Sequence, residues 1–166
     1  VSVAVARVIK ESGGGIFKKT KFLAGHSLGE YSALVINESL KLSDAAKLLD
    51  IRGKSMQDSV PIGEGAMAAL IGSDIDKAVE VVNLSKEYGV CQVANDNAPG
   101  QVVISGNKTA IDKAILISKD IGIKKCILLP VSAPFHCDLM SPAADKMNDA
   151  LQEISFKDFK LPIISN

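Results

Sequence analysis

The sequence lacks several features that mark whole classes of protein. Lys plus Arg number 19 and Asp plus Glu number 19, so the formal net charge is zero and the basic surplus of a nucleic-acid-binding protein is missing. The longest apolar runs, such as residues 66–71, are far too short to span a bilayer. Three cysteines, none in a C-x-x-C spacing, argue against a disulfide framework and a zinc site. We therefore expect a cytoplasmic protein that binds neither nucleic acid nor membrane and needs no metal.

The length and composition predict a folded domain of ordinary size. The chain has 166 residues, of which 47% are hydrophobic and 23% charged, and this balance excludes disorder. Val1 is not an initiator methionine, residues 1–12 already have a helical pattern, and residues 161–165 have the pattern of a strand that stops at Asn166. We therefore expect a piece of a longer protein, truncated at both ends.

The apolar periodicity predicts an α/β fold in two parts. In the middle of the chain it indicates strand, helix, strand, strand, helix and strand, at residues 66–71, 75–88, 90–94, 102–105, 111–120 and 126–129. This β-α-β-β-α-β order is that of a ferredoxin-like subdomain. We predict that residues 61–129 form such a subdomain, inserted into an α/β-hydrolase-like core made of residues 1–60 and 130–166.

The core segments have their own start and stop signals. Glycines 13–15 end the first helix, and residues 22–24 form a short apolar run typical of a buried strand. Ser43 is a predicted N-cap for the helix that carries Arg52. A helix over residues 141–154 and the terminal strand complete the core.

A candidate nucleophile follows the first predicted strand. Residues 25–29 read Gly-His-Ser-Leu-Gly and match G-x-S-x-G, with a strand before and a helix after. The glycines permit a tight turn that lifts the Ser27 hydroxyl clear of the sheet. The helix N-terminus directs N–H groups at an oxyanion, and the Leu28 backbone N–H is the natural donor. An ordinary strand–helix junction with a serine cap has the same pattern, but the context on both sides favours a nucleophile.

A serine hydroxyl needs a base, and the sequence contains only two histidines. His26 adjoins Ser27, so the two side chains leave the turn in different directions. His136 lies in a loop just after a predicted strand, where α/β sheets place their chemistry, and we predict it as the base. Asp112 and Asp120 are not convincing third members, because they lie on a predicted helix and face solvent. A backbone carbonyl that orients the imidazole would serve instead.

The interpretation of the other polar residues depends on their surroundings. Arg52, near the end of its predicted helix, is either a surface arginine favoured by the helix dipole or a bidentate partner for a substrate carboxylate. Asn95 and Asn97 have the ordinary character of turn residues. Cys137 fits a small buried residue better than a nucleophile.

Four segments, taken in order, resemble the malonyl-CoA:acyl-carrier-protein transacylases of fatty-acid synthesis. They are residues 25–31 (GHSLGEY), Arg52-Gly53 with Met56-Gln57, residues 95–106 (NDNAPGQVVISG) and residues 131–136 (VSAPFH). The resemblance covers essentially the whole chain, and four ordered motifs together are highly specific.

This resemblance implies a ping-pong transfer. Ser27, activated by His136, takes the malonyl group from malonyl-CoA as a serine ester, and the phosphopantetheine thiol of acyl carrier protein then accepts it. The resemblance assigns Arg52 to the malonyl carboxylate and makes Phe135 consistent with a malonyl preference. It gives substrate-binding positions to three more residues, His26, Asn95 and Asn97. No cofactor is implied beyond CoA as the carrier of the substrate, and we expect a monomer.

Two parts of the family's site have no counterpart in this sequence. One is a Gly-Gln-Gly loop whose glutamine supplies the second oxyanion N–H, and the other is the backbone carbonyl that orients the catalytic histidine. The resemblance therefore implies that both lie outside these 166 residues. It also accounts for the missing third member of the catalytic group.

Other functions share parts of the pattern. A serine esterase or thioesterase of the α/β-hydrolase type has the same elbow, but it predicts an acidic residue on a core loop and gives Arg52 no role. A patatin-like lipase needs an Asp-Gly element that the sequence does not contain. An acyltransferase domain of a polyketide synthase uses the same chemistry. A non-catalytic ferredoxin-like interaction module leaves unexplained why both histidines fall inside motifs.

Overall fold

The computed structural model describes residues 1–13 and 15–165 and shows a mixed α/β chain. Gly14, in the predicted glycine stop, and Asn166, where the predicted last strand stops, lie outside the described residues. The helices are α1 Ser2–Glu11, α2 Ile16–Lys19, α3 Leu28–Ile36, α4 Leu42–Asp58, α5 Ile75–Ser85, α6 Lys108–Asp120 and α7 Ser141–Gln152. The strands are β1 Leu23–Ala24, β2 Gly65–Ile71, β3 Cys91–Ala98, β4 Gln101–Asn107, β5 Lys125–Leu128 and β6 Ile163–Ile164. Two 3-10 turns lie at Lys86–Tyr88 and Asp138–Met140.

The chain divides into two compact units. The first comprises residues 1–51 and the chain from residue 148 onward, and the second comprises residues 52–147. Helix α4 begins in the first unit and ends in the second, and α7 leads back to the first. Within the part of the chain that the structure describes, no helix is long and apolar enough to cross a membrane.

The first unit contains a parallel strand pair that supports the turn after β1. Strand β1 pairs with β6, with Leu23 opposite Ile163 and Ala24 opposite Ile164. The Gly25 N–H extends this pairing by donating to the Ile164 carbonyl at 3.2 Å. Both strands are shorter than predicted, and Phe22 and Ala24 are exposed in the described chain. The prediction of a buried strand is therefore wrong at these two residues.

A buried asparagine joins the end of α3 to the segment that enters β6. The Asn37 side chain is 2% exposed. Its Nδ2 donates to the Leu161 carbonyl at 2.9 Å, and its Oδ1 accepts from the Leu161 N–H at 3.0 Å. The Lys157 N–H donates to the Ser39 carbonyl nearby, at 2.9 Å. Asn37 therefore ties the end of α3, the helix that follows the turn at residues 25–27, to the segment that leads into β6, the partner strand of β1.

Glu38 adds an electrostatic contact at the same place. Its carboxylate accepts from Lys10 Nζ at 2.7 Å and also from Lys160 Nζ. Hydrogen bonds from Lys10 and Lys160 lower the pKa of Glu38 from 4.5 to about 2. Because the folded-state pKa is depressed, the stabilisation is present at neutral pH and is lost as the pH falls from 4.5 towards about 2. The contact is exposed, so its contribution is small.

The second unit is built on a four-stranded antiparallel sheet. The strand order is β3-β4-β2-β5, and helices α5 and α6 pack on one face. Its elements follow the predicted chain order of strand, helix, strand, strand, helix, strand. Alternate residues of β2 and β4 meet the helices in a core that includes Ala68, Leu70, Val102, Ile104, Val81, Ile111 and Ala114. The period of two along these strands places one face of the sheet in this core.

The predictions for the turn at residues 95–100 and for the start of α4 are wrong. Strand β3 continues through Asn95 and Asn97, and the turn is confined to Pro99 and Gly100. Irregularities in the pairing with β4 accommodate these polar residues within the ladder. Helix α4 begins at Leu42, so Ser43 lies inside the helix and is not its N-cap.

Replacing Asn37 with alanine should lower the free energy of unfolding by about 1–3 kcal/mol, because the Leu161 N–H and carbonyl lose their partners in a buried position. Asn83→Ala is the matched control: this asparagine is exposed, and its Oδ1 accepts a hydrogen bond from the flexible Lys86 side chain at 2.9 Å. Its substitution should change stability by less than about 0.5 kcal/mol. Urea denaturation of the complete protein that contains this chain measures both, and equal losses would contradict the anchoring role.

Candidate active site

Ser27 stands at a strained strand-to-helix turn in the first unit. Its backbone has φ 52° and ψ −112°, a combination that few residues other than glycine adopt. The residue is half-buried and precedes the first residue of α3, Leu28. Strand, sharp turn and helix follow one another as a nucleophile elbow requires.

The two glycines of the motif have different structural roles. A Cβ at Gly25 would lie 2.3 Å from the Glu30 nitrogen and 2.3 Å from the Gly29 carbonyl carbon. Such contacts are impossible, so only glycine allows the end of β1 to approach the first turn of α3 this closely. A Cβ at Gly29 would meet no heavy atom within 4 Å in the described structure. Gly25 is therefore the glycine on which the local backbone depends.

Two N–H groups in the first turn of α3 already have acceptors in the turn. The Gly29 N–H donates to the His26 carbonyl at 2.9 Å, and the Glu30 N–H donates to the Ser27 carbonyl at 3.2 Å. Leu28 begins the helix, where an N–H has no acceptor within the helix itself. Its position suits the predicted oxyanion donor, since the positive end of the helix dipole lies there.

His26 lies beside the turn and is exposed. It lines a surface cavity of about 300 Å³ together with Ala24, Gly25, Ile164 and Ser165. The cavity is thus formed where β1 and β6 end, at the carboxyl edge of the parallel pair. This is the edge at which α/β sheets bind ligands.

His136 lies in the second unit, in the loop between β5 and the 3-10 turn. It is half-buried and has φ 59°, so this histidine too occupies a left-handed backbone conformation. Before it, Pro134 packs so closely on Gly65 that a Cβ at residue 65 would lie 2.3 Å from the Pro134 Cδ. After it, the Asp138 N–H donates to Gln92 Oε1 at 2.7 Å, and Gln92 Nε2 donates to Asp138 Oδ2 at 2.7 Å.

Arg52 and His136 line one cavity. It measures about 180 Å³, and its other lining residues are Met56, Met140, Ala143, Ala144 and Met147. Arg52 is half-buried and lies more than one turn before Asp58, the last residue of α4. The interpretation of Arg52 as a terminal arginine favoured by the helix dipole is therefore wrong, because that effect is confined to the last turn. A cation, an imidazole and an apolar wall share this space.

The remaining predicted site residues lie elsewhere in the second unit. Asn95 is half-buried and Asn97 exposed, both on β3, and neither belongs to the residues that line the cavity of Arg52 and His136. Phe135 is half-buried next to His136. Asp112 and Asp120 are exposed, as predicted, and Asp112 accepts from Lys108 Nζ at 2.7 Å.

Cys137 has the surroundings of a structural thiol. It is half-buried, and its Sγ donates to the Pro134 carbonyl at 3.2 Å. Burial raises the pKa of this thiol above its ordinary value, an effect that the neighbouring Ser105 hydroxyl only partly offsets. A raised pKa disfavours the thiolate, which is the nucleophilic form. In residues 1–13 and 15–165, no three His, Cys, Asp or Glu side chains are grouped as a metal site requires.

Sequence reasoning missed the supports of the His136 loop. Gly65, Gln92 and Asp138 contact that loop from β2, from β3 and from the following turn. Gln92 and Asp138 are separated by 46 residues in the chain. No local pattern links them, so only the sheet topology could have identified the pair.

Comparisons with known proteins find similar sequences and structures along the whole chain. A family model described as an acyl transferase domain matches residues 1–166. The malonyl CoA-acyl carrier protein transacylase of Escherichia coli K12 is 46% identical over 165 residues, which are 99% of this chain and 52% of that relative. A crystal structure of the acyl-carrier-protein S-malonyltransferase from Bartonella henselae superposes with a TM-score of 0.95 at 49% identity, over 100% of this chain and 53% of that one.

A further solved structure is a complex. It contains an acyl-carrier protein of a type II polyketide synthase and its malonyl-transacylase, and it matches with a TM-score of 0.94 at 42% identity, over 99% of this chain and 52% of that one. The chain spans about half the length of the curated relatives that it matches.

The geometry of the elbow predicts opposite outcomes for its two glycines. Gly25→Ala should lower the melting temperature by several degrees and abolish any activity of Ser27, because the added Cβ would overlap the backbone of residues 29 and 30. Gly29→Ala should fold at least as well as the wild type, since alanine is favoured in a helix by about 1 kcal/mol. Calorimetry of the complete protein tests both, and a stable Gly25→Ala protein would contradict the close approach.

Proposed function

The chain belongs to the family of acyl transferase domains, and from this premise we propose that its protein transfers a malonyl group from malonyl-CoA to the phosphopantetheine thiol of an acyl carrier protein in fatty-acid synthesis. The observation that carries the proposal is the cavity that Arg52 and His136 share, with methionine and alanine side chains around them. A cation beside an imidazole suits a substrate with a carboxylate near its reacting carbonyl. Relatives that are 45–46% identical bear the name malonyl CoA-acyl carrier protein transacylase.

In the first half-reaction, Ser27 is the nucleophile. Its Oγ attacks the thioester carbonyl carbon while His136 accepts the hydroxyl proton. The Leu28 N–H stabilises the oxyanion that forms. When the carbon–sulfur bond breaks, the CoA sulfur takes the proton from His136, and the malonyl group remains on Ser27 as an ester. The strained backbone of Ser27 supports this role, because a nucleophile elbow places its serine on a sharp, strained strand-to-helix turn.

The second half-reaction repeats these steps with a different nucleophile. His136 accepts the proton of the phosphopantetheine thiol, and the thiol sulfur attacks the ester carbonyl. When the carbon–oxygen bond breaks, the proton returns to Ser27 Oγ, and the malonyl thioester leaves on the carrier protein. No metal or redox group takes part in either step.

Arg52 selects the acyl group. Its guanidinium can donate two parallel hydrogen bonds to the malonyl carboxylate, which a lysine cannot reproduce. An acetyl group has no carboxylate to accept these hydrogen bonds, which should weaken its binding by about 1–3 kcal/mol relative to malonyl. His26, Asn95 and Asn97 are proposed to contact the rest of the substrate, a role supported for His26 by the cavity at the end of β1.

We propose the finer fold assignment on the same basis. The sheet order β3-β4-β2-β5, with both helices on one face, supports a ferredoxin-like subdomain at residues 61–129. The parallel pair β1 and β6, with the elbow at its carboxyl edge, supports an α/β-hydrolase-like core in residues 1–60 and 130–166. The three cysteines are free thiols, which supports a reducing, cytoplasmic location.

A carrier protein of a polyketide synthase is a second candidate acceptor of the malonyl group, and one comparison supports it. The similar structure that holds a carrier protein is a malonyl-transacylase in complex with the acyl-carrier protein of a type II polyketide synthase. The chemistry at Ser27 is the same for both acceptors, so only the carrier differs. Parallel transfer assays with a fatty-acid and a polyketide carrier protein distinguish the two pathways.

Intact-mass spectrometry after rapid quenching tests the nucleophile. The complete protein incubated with malonyl-CoA should gain one malonyl group, and Ser27→Ala should gain none, because the oxygen that forms the ester is gone. Ser43→Ala, at an exposed serine inside α4, is the control and should be labelled like the wild type. Added acyl carrier protein should remove the label. Release of CoA without any adduct or acceptor would instead favour a thioesterase.

Arg52→Ala should reduce kcat/KM for malonyl-CoA by about tenfold to hundredfold, the equivalent of about 1.5–3 kcal/mol for hydrogen bonds to a charged group. The ratio of malonyl to acetyl transfer should fall with it. The chain contains one other arginine, the exposed Arg7 on α1, and Arg7→Ala should leave both rates unchanged. An unchanged malonyl-to-acetyl ratio in Arg52→Ala would exclude this residue from carboxylate recognition.

A further inference from the structure

We propose that Gln92 and Asp138 are positioning residues that hold the His136 loop in its catalytic conformation. The inference rests on the proposed function, because it concerns the base of that reaction. Neither side chain lines the cavity of Arg52 and His136, and both act through the backbone of the loop.

The contact is a reciprocal pair of hydrogen bonds between a strand and the loop. Gln92 Nε2 donates to Asp138 Oδ2 at 2.7 Å, and the Asp138 N–H donates to Gln92 Oε1 at 2.7 Å. Gln92 lies on β3, opposite Ser105 of the neighbouring strand β4, so a regular ladder fixes its backbone. One amide side chain thereby connects the sheet to both the main chain and the side chain of Asp138.

The position of Asp138 makes this contact consequential. It lies two residues after His136 and begins the 3-10 turn Asp138–Met140, which leads directly into α7. Met140 of that turn and three residues of α7 line the cavity. The contact therefore fixes the position of the end of the histidine loop. It also fixes the start of the helix that forms part of the cavity wall.

The backbone of His136 needs such support from both sides. A histidine at φ 59° persists only where its surroundings fix the conformation. On the N-terminal side, Pro134 packs against Gly65, and the Cys137 Sγ donates to the Pro134 carbonyl. Gln92 provides the anchor on the C-terminal side. Without it, the loop beyond His136 can relax, and the imidazole moves away from its working position.

The chemistry of the pair provides a reversible test. In Gln92→Glu, a carboxylate that cannot donate replaces the amide donor and faces the charge of Asp138. In the double variant Gln92→Glu with Asp138→Asn, the new asparagine amide donates to the new carboxylate, while the residue 138 N–H still has an acceptor. The negative charge then lies on residue 92 instead of residue 138, and both hydrogen bonds are kept.

We would measure the rate of malonyl-serine formation in the complete protein by rapid quench. Gln92→Glu should lower kcat about tenfold with KM nearly unchanged, since a small displacement of a catalytic group costs rate more than binding. The double variant should recover to within about threefold of the wild type. The defect of Gln92→Glu alone, relative to the wild type at each pH, should shrink as the pH falls, because protonation of one carboxyl restores a donor. Gln152→Glu, at an exposed residue that ends α7, is the control for the added charge.

A second measurement does not depend on malonyl transfer. The imidazole resonances of His136, assigned by comparison with His136→Gln, should shift or broaden in Gln92→Glu and return in the double variant. Should Gln92→Glu not fold, Asp138→Asn and Asp138→Ala replace it, because asparagine can still accept from Gln92 and alanine cannot.

Each outcome has a defined meaning. A wild type that forms no malonyl ester, together with imidazole signals that move and return, would overturn the proposed function and support the positioning role. A double variant that has the wild-type melting temperature but is as slow as Gln92→Glu would overturn the positioning role. Unmoved imidazole signals in Gln92→Glu, with an unchanged rate, would overturn it as well.

Discussion

The proposed chemistry depends on the backbone of Ser27, which is held at φ 52° and ψ −112°. An L residue in such a conformation costs of the order of 1–3 kcal/mol, so neighbouring contacts must maintain it. Strand β1 is fixed by its pairing with β6, and Gly25 lets the backbone approach the first turn of α3 so closely that no space is left for a Cβ. Asn37 joins the far end of α3 to the segment that enters β6. These contacts thus hold the segments on both sides of the strained turn together.

His136 shows the same principle in the second unit. It also has a positive φ, and it too lies between anchored segments. The antiparallel sheet makes this possible, because its helix-covered face supplies the core while residues such as Gly65 on β2 and Gln92 on β3 contact the loop. The β-α-β-β-α-β order therefore does more than link two parts of the chain. It provides the rigid support on which the proposed base is held.

The sequence predicted this architecture where the signal is local. The strand that contains Ala68 and Leu70 has a continuous apolar run, and the turn at residues 25–29 has a motif with a steric reason for its first glycine. It failed where tertiary pairing decides the outcome. Asn95 and Asn97 have turn propensity but lie in a bulged strand, because pairing with β4 outweighs local preference. The ties from Asn37 to Leu161 and from Gln92 to Asp138 join residues far apart in the chain, so no local pattern could reveal them.

The cavity of Arg52 has surroundings that suit the proposed selection of a charged acyl group. Its wall is formed mainly by methionine and alanine side chains, which offer few alternative partners for a charged ligand. In such surroundings the interaction between a guanidinium and a carboxylate is less screened than in water, and removing a partner is correspondingly costly. Arg52 lies in the interior of α4, so the helix rather than a flexible loop sets its position. A carboxylate bound there would be placed by a rigid element, and an acyl group without one would gain nothing from it. In the proposed function the arginine would therefore act as a filter for charge rather than as a general contribution to binding.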